Sequence, residues 1–160
     1  MAVENKKTAS VTARDATPNT LTNYRQNLKI DGGAFTTVAA DDDTSVFRVC
    51  RVPSSGRFYG SLKTHGAITG GTDWDLGLYR TAADGGAVVV KDCLLDGIDL
   101  SSASAVPSFS ALDVGTVIGK YFWELAGLSS DPRTEYDVAW TANTIGSGAT
   151  DLATYVLFSA

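Results

Sequence analysis

The chain has 160 residues, 44% hydrophobic and 19% charged, with a net charge of −5. That is enough apolar chain for one ordinary domain needing no metal or disulfide to fold, and it excludes global disorder. No apolar run approaches the roughly 18 residues of a membrane helix, and the opening Met1-Ala2-Val3-Glu4-Asn5-Lys6-Lys7 lacks the apolar stretch of a secretory signal.

Residues 1–25 read as an arm, extended or partly helical, ahead of a body at 26–160. Large apolar residues are scarce before Leu21, so this stretch cannot form a core alone. Leu21, Tyr24 and Leu28 fall at i, i+3 and i+7 behind Thr20, which would cap a short helix; arm plus first strand fits equally well. Residues 1–30 carry Lys6, Lys7, Arg14, Arg25 and Lys29 against Glu4 and Asp15, a net +3, which leaves −8 on residues 31–160. An acidic body disfavours nucleic acid as a partner. The basic arm is either a solvated tail or a dock for an acidic neighbour.

Beyond the arm, short runs of β-branched and aromatic residues alternate with Gly, Asp, Asn and Pro breaks. Asp31-Gly32-Gly33 reads as a turn, Ala34–Ala39 as a possible strand and Asp41-Asp42-Asp43 as a loop. Strands are predicted at Thr44–Val52, Gly56–Lys63, Asp73–Arg80, Ala87–Lys91, Tyr121–Ala126, Thr134–Thr141 and Asp151–Phe158. The second of the apolar blocks, Ser45–Val52, has large side chains at both parities, as in a strand covered on both faces. Trp74, Leu76 and Leu78 should face the core with Asp73, Asp75 and Tyr79 opposite. Asp84-Gly85-Gly86 is a hairpin signal. Ser101–Asp113, with Pro107, reads as a long crossover, and Tyr121, Trp123 and Leu125 as one face of a strand. Together these give an all-β, single-domain antiparallel β-sandwich, jelly-roll-like or Greek-key, with an extended N-terminal arm.

Catalytic constellations are weak. His65 is the sole histidine, with no nucleophile motif around it, and reads as a loop or strand-edge residue. Asp41-Asp42-Asp43 lacks calcium-loop spacing. Asp73 and Asp75 lie about 7 Å apart along a strand, a permissive but common spacing for paired carboxylates. Gly66-Ala67-Ile68-Thr69-Gly70-Gly71 lacks the Lys-Ser/Thr ending of a phosphate loop. Trp74, Trp123 and Trp140 alternate with aliphatic partners, a core pattern rather than a sugar platform. Cys50 and Cys93 read as buried free thiols, with one disulfide left open. No cofactor or metal site is expected.

The ordered blocks Asp43–Val49, Thr72–Arg80, Trp123–Leu128 with Asp131-Pro132, and Tyr136–Ala139 resemble tailed-phage capsid decoration (head cement) proteins, over roughly Asn23 to Phe158. The resemblance implies a non-enzymatic β-sandwich on the outside of a virion shell, assembled in the host cytoplasm and partnered by the major capsid protein. It further implies a homo-oligomer, trimer or dimer; with the acidic body and the absence of a long apolar run, no nucleic acid or membrane partner is expected. No binding motif comes with it. Lys6, Lys7, Arg14 and Arg25 are the candidate capsid-contact residues because an arm of that charge suits an acidic shell surface. The alternative is a carbohydrate- or receptor-binding sandwich module of a phage tail or fibre, which would expose aromatic rings.

Overall fold

The computed structural model describes residues 28–38, 41–109, 116–147 and 149–159. The arm at 1–25, and with it Lys6, Lys7, Arg14 and Arg25, lies outside the described residues. Eight strands follow in order: β1 (Leu28–Thr36), β2 (Val46–Pro53), β3 (Arg57–His65), β4 (Asp73–Arg80), β5 (Val88–Ile98), β6 (Ser104–Phe109), β7 (Glu135–Thr144) and β8 (Asp151–Ser159). One four-residue helix, α1 (Phe122–Leu125), precedes β7.

The strands form two antiparallel four-stranded sheets, ordered β1-β8-β3-β6 and β2-β7-β4-β5. Strand 1 pairs with 8, 2 with 7, 3 with 6 and 4 with 5. A long hairpin folded at its middle and rolled into two layers has this pairing, so the predicted sandwich is a jelly roll.

The core lies between the sheets and is aromatic at both ends. At one end Phe35 stacks on Phe47 at 4.6 Å, Phe47 on Trp74 at 5.6 Å, and Trp74 meets Trp140 edge-on at 6.5 Å. At the other, Phe122 meets Phe58 and Phe158 edge-on at 6.1 and 6.0 Å. The middle is filled by fully buried Leu76, Leu78, Val138, Leu152 and Val156.

Several expectations are corrected. Tyr121–Ala126 is not a strand: Glu124 Oε2 accepts the Tyr121 N–H at 2.8 Å and a single helical turn forms. Its rotation buries Phe122 and leaves Trp123 only half-buried, so the Tyr121/Trp123/Leu125 face does not exist. Asp31-Gly32-Gly33 is not a turn but the middle of β1. Gly32 sits at φ +154°, and a Cβ there would meet Thr154 O at 2.1 Å; the glycine permits close pairing with β8. Part of the Ser101–Asp113 crossover is β6, an edge strand, where a proline is tolerated. β2 is also an edge strand and is not covered on both sides. A bulge between Arg48 and Cys50 shifts the register, so that Phe47, Cys50 and Val52 all pair with inward positions.

The Asp84-Gly85-Gly86 turn joins β4 to β5 as expected, through a 3₁₀ turn at Ala82–Asp84 and glycines at φ +82° and +66°.

Candidate functional site

The two outward faces of the sandwich differ in chemistry. On β7 and β4 of the second sheet, the positions opposite the core are Asp137, Ala139, Thr141, Asn143, Asp73, Asp75, Gly77 and Tyr79. Asp75 was expected on a solvated face, yet it is 1% exposed. Gly97 N–H donates to its Oδ1 at 3.0 Å, Asn143 Nδ2 to its Oδ2 at 2.6 Å, and Lys91 Nζ lies 3.4 Å from Oδ2. Burial pushes this carboxyl up, but those donors outweigh it and hold Asp75 below the usual carboxylate range. Asn143 Nδ2 also reaches Asp73 Oδ1 at 3.1 Å, and its Oδ1 accepts from Lys91 at 2.8 Å.

Asp137, 5% exposed, binds both neighbouring arginines of β2: Arg48 Nη1 at 2.9 Å and Arg51 Nε at 2.8 Å. Arg48 further donates to Arg80 O and Gly86 O and lies 5.5 Å from the Tyr79 ring centroid. Tyr79 and Thr141 hydroxyls hydrogen-bond each other. Each buried polar group of this face is therefore engaged by a neighbour. Asn143 thus bridges Asp73 and Asp75, and with Lys91 and the Gly97 amide it braces Asp75 within the fold.

The outer face of the first sheet is different. Registry places Leu28, Ile30, Gly32, Ala34 and Thr36 of β1 beside Ser159, Leu157, Tyr155, Ala153 and Asp151 of β8, with Leu62 and Thr64 of β3 beyond them. Leu28, Ile30 and Tyr155 are 58%, 61% and 44% exposed. Among these three strands the charged positions on this face are Arg57 at one end and Asp151 at the other. The signal was present in the sequence: in Leu152–Phe158 the apolar residues fall at both parities.

The remaining candidates are absorbed into the structure. His65 is neither in a loop nor exposed. It points between the sheets opposite Leu152, with Nδ1 2.9 Å from Gly66 O and Nε2 3.3 Å from Lys63 Nζ. Nδ1–H donating to the carbonyl leaves Nε2 to accept from the lysine. Burial pulls both His65 and Lys63 below their ordinary values. Two of the three carboxylates of Asp41-Asp42-Asp43 serve backbone: Asp41 accepts from Val38 N–H at 2.8 Å and Asp43 from Ile145 N–H at 2.9 Å. Among the described residues no group of three or more His, Cys, Asp or Glu side chains is arranged to hold a metal ion. The Gly66–Gly71 loop is pinned by buried Ile68, whose N–H reaches Leu100 O.

Trp74 and Trp140 are core, Trp140 Nε1 donating to Thr154 Oγ1 at 2.9 Å. Trp123 is not: it stacks on Tyr121 at 5.8 Å, and Arg57 lies 4.0 Å from the Tyr121 centroid on the ring. Cys50 and Cys93 are free, half-buried thiols, each pushed up to about 12, chiefly by burial. Among the described residues no helix is long and apolar enough to cross a membrane.

No protein-family model matches the chain, and no curated protein matches it. Among solved structures, a chain of the "Cyanophage Pam1 capsid asymmetric unit" is similar at 12% identity and TM-score 0.48, over 83% of this chain and 84% of that one. A likeness of that strength carries no functional information about this chain.

Proposed function

We propose that this protein is a non-enzymatic structural component of a phage virion, a head decoration or cement protein on the outer surface of the major capsid shell. The observation that carries the reading is the internal pairing of the carboxylate, amide, lysine and histidine side chains drawn into the body. Asp75, Asp137, Asn143, Lys63 and His65 each hydrogen-bond a neighbour within the fold. A rigid jelly roll of this kind suits a body that holds shape while its surfaces grip other chains, and the fold is shared by viral capsid and lectin domains. The ordered blocks that resemble cement proteins support the same reading. So does the arm at residues 1–25, whose Lys6, Lys7, Arg14 and Arg25 suit an acidic shell surface. Wrapping an arm over a neighbour gains contact area at the cost of ordering it, and many copies on one lattice add modest energies. In this reading the chain works as a symmetric oligomer.

Co-sedimentation with empty shells of the parent phage tests this. The full chain should pellet to saturation, and a chain lacking residues 1–20 should stay folded and pellet less. Failure of the full chain to pellet would reject shell binding; equal pelleting of the truncated chain would reject the arm's role.

A second reading, a carbohydrate- or receptor-binding module of a tail or fibre, is favoured by one observation. The half-buried Trp123 on Tyr121 is a stacked aromatic pair outside the core. Titrating a glycan panel against tryptophan fluorescence should leave emission unchanged if the decoration reading holds; saturable quenching lost in Trp123→Ala would favour the module instead.

A further inference from the structure

A β-strand that is half solvated normally alternates apolar-in with polar-out. The strands β1, β8 and β3 do not. Their inward side carries Phe35, Leu152, Val156, Phe158 and Phe58 together with Lys29, Asp31, Lys63 and His65, and their outward side carries Leu28, Ile30, Ala34, Ala153, Tyr155, Leu157 and Leu62. The strands β1, β8 and β3, about 4.8 Å apart and nine residues long at roughly 3.3 Å each, give a face on the order of 400 Å². A stable protein–protein interface takes roughly 800 Å² of accessible surface from each partner, so this face supplies about half of one and would form its apolar centre. An apolar patch of that extent ranks with the largest on a typical monomer, and such patches are often functional.

Two occupants from within the protein compete for it. Residues 1–27 enter at Leu28, on the rim of the face, but their large apolar side chains are Met1, Val3, Val11, Leu21 and Tyr24 alone. That is too little apolar surface to match the face. A second copy of the same face matches it by construction. The two charges sharpen the match. Arg57 and Asp151 mark opposite ends of the sheet, because β3 and β8 run antiparallel with Arg57 beside Ser159 and His65 beside Leu152. A twofold axis lying in the face and perpendicular to the strands would bring the basic end of one copy over the acidic end of the other. Interfaces of this isologous kind are the commonest route to a closed oligomer.

We propose that the outer face of the β1-β8-β3-β6 sheet is the docking surface for a second copy of this chain, packed sheet on sheet about a twofold axis. The proposal deepens the oligomeric part of the function above by naming the surface, and it stands or falls separately from shell binding.

Sedimentation equilibrium of the full chain, from roughly 1 to 100 µM, where interfaces of this size associate, tests it. The expected mass is twice the 16.8 kDa of one chain. Ile30→Asp and Tyr155→Arg should each weaken the dimer by about tenfold or more, with far-UV circular dichroism unchanged. Val88→Asp, at an exposed residue of the other sheet, should leave the dimer intact. A wild-type chain that stays monomeric across the range overturns the proposal and needs no variant to do so. A dimer that survives both face substitutions overturns it as well. Shell co-sedimentation is read separately, so a monomer that pellets with shells sinks this proposal and spares the decoration reading, and a dimer that does not pellet does the reverse.

Discussion

The two outward faces of this sandwich are built from equal numbers of strands and end up with opposite chemistry. On the β2-β7-β4-β5 sheet, charge is drawn down onto the sheet and locked: Asp137 under Arg48 and Arg51, Asp75 under Lys91, Asn143 and the Gly97 amide. On the β1-β8-β3-β6 sheet, the described outward positions are apolar or small except at the two ends. The first face is finished within the chain and the second is not. A polar network made of internal partners stabilises the fold, whereas a bare apolar sheet face adds little to folding and gains when something covers it.

The largest expected effect is on the β1-β8-β3-β6 sheet itself. Removing residues 153–160 takes out most of β8, which lies between β1 and β3 and carries core residues Val156 and Phe158. No cooperative unfolding transition should remain by circular dichroism. A folded truncated chain would mean that this sheet is dispensable to the core.

Next comes Asp137→Ala. It strips Arg48 and Arg51 of their shared acceptor and should cost about 2 kcal/mol in urea denaturation, less than the 3–5 of a fully buried pair because both arginines reach solvent. By contrast, Tyr155→Arg or Ile30→Asp should change the stability of the single chain by no more than about 0.5 kcal/mol. Equal costs at Asp137 and Tyr155 would erase the distinction between the faces.

The pH dependence sharpens it further. Asp75 is held below its ordinary pKa, so its contribution is present above the unfolded value near 3.8 and is lost as pH falls through the folded one. His65 is also depressed, so the fold must pay to charge it as pH drops from about 6.5 toward its lower folded value. Stability should therefore begin to fall below about pH 6.5, and His65→Gln should remove that upper limb while leaving the acid limb near pH 4 and below. The smallest effect is at Asp96, whose carboxyl is raised mainly by the nearby Asp75 charge. Asp96→Asn should raise the thermal midpoint slightly at neutral pH and not at pH 3.

Much of the body was legible before the structure. Trp74, Leu76 and Leu78 at alternate positions located β4 and its inward face, and Asp84-Gly85-Gly86 located the hairpin, because both signals are local. Three features were not. Tyr121-Phe122-Trp123 is aromatic at every position, so period two and period 3.6 cannot be told apart, and Glu124 reaching back to the Tyr121 amide decides for a helix. Gly32 reads as a turn residue until the close approach of Thr154 gives its conformation another reason. The Arg48–Cys50 bulge makes an edge strand look like one buried on both faces. For the functional surfaces, the exposure of Tyr155 and the burial of Asp75 depend on which sheet each strand joins. Jelly-roll partners lie far apart in sequence, β1 with β8 and β2 with β7, so the apolar residues at both parities of Leu152–Phe158 mark an unusual strand without saying which of its sides stays open. The arm residues Lys6, Lys7, Arg14 and Arg25 rest on charge alone.

An electron cryomicroscopy map of the intact parent virion is the most direct test of a shape-holding body that grips other chains. The expected result is density for the eight-stranded roll outside the capsid shell, with residues 1–25 laid over the major capsid protein. Density for this chain at the tail or fibre, or its absence from the particle, would contradict it.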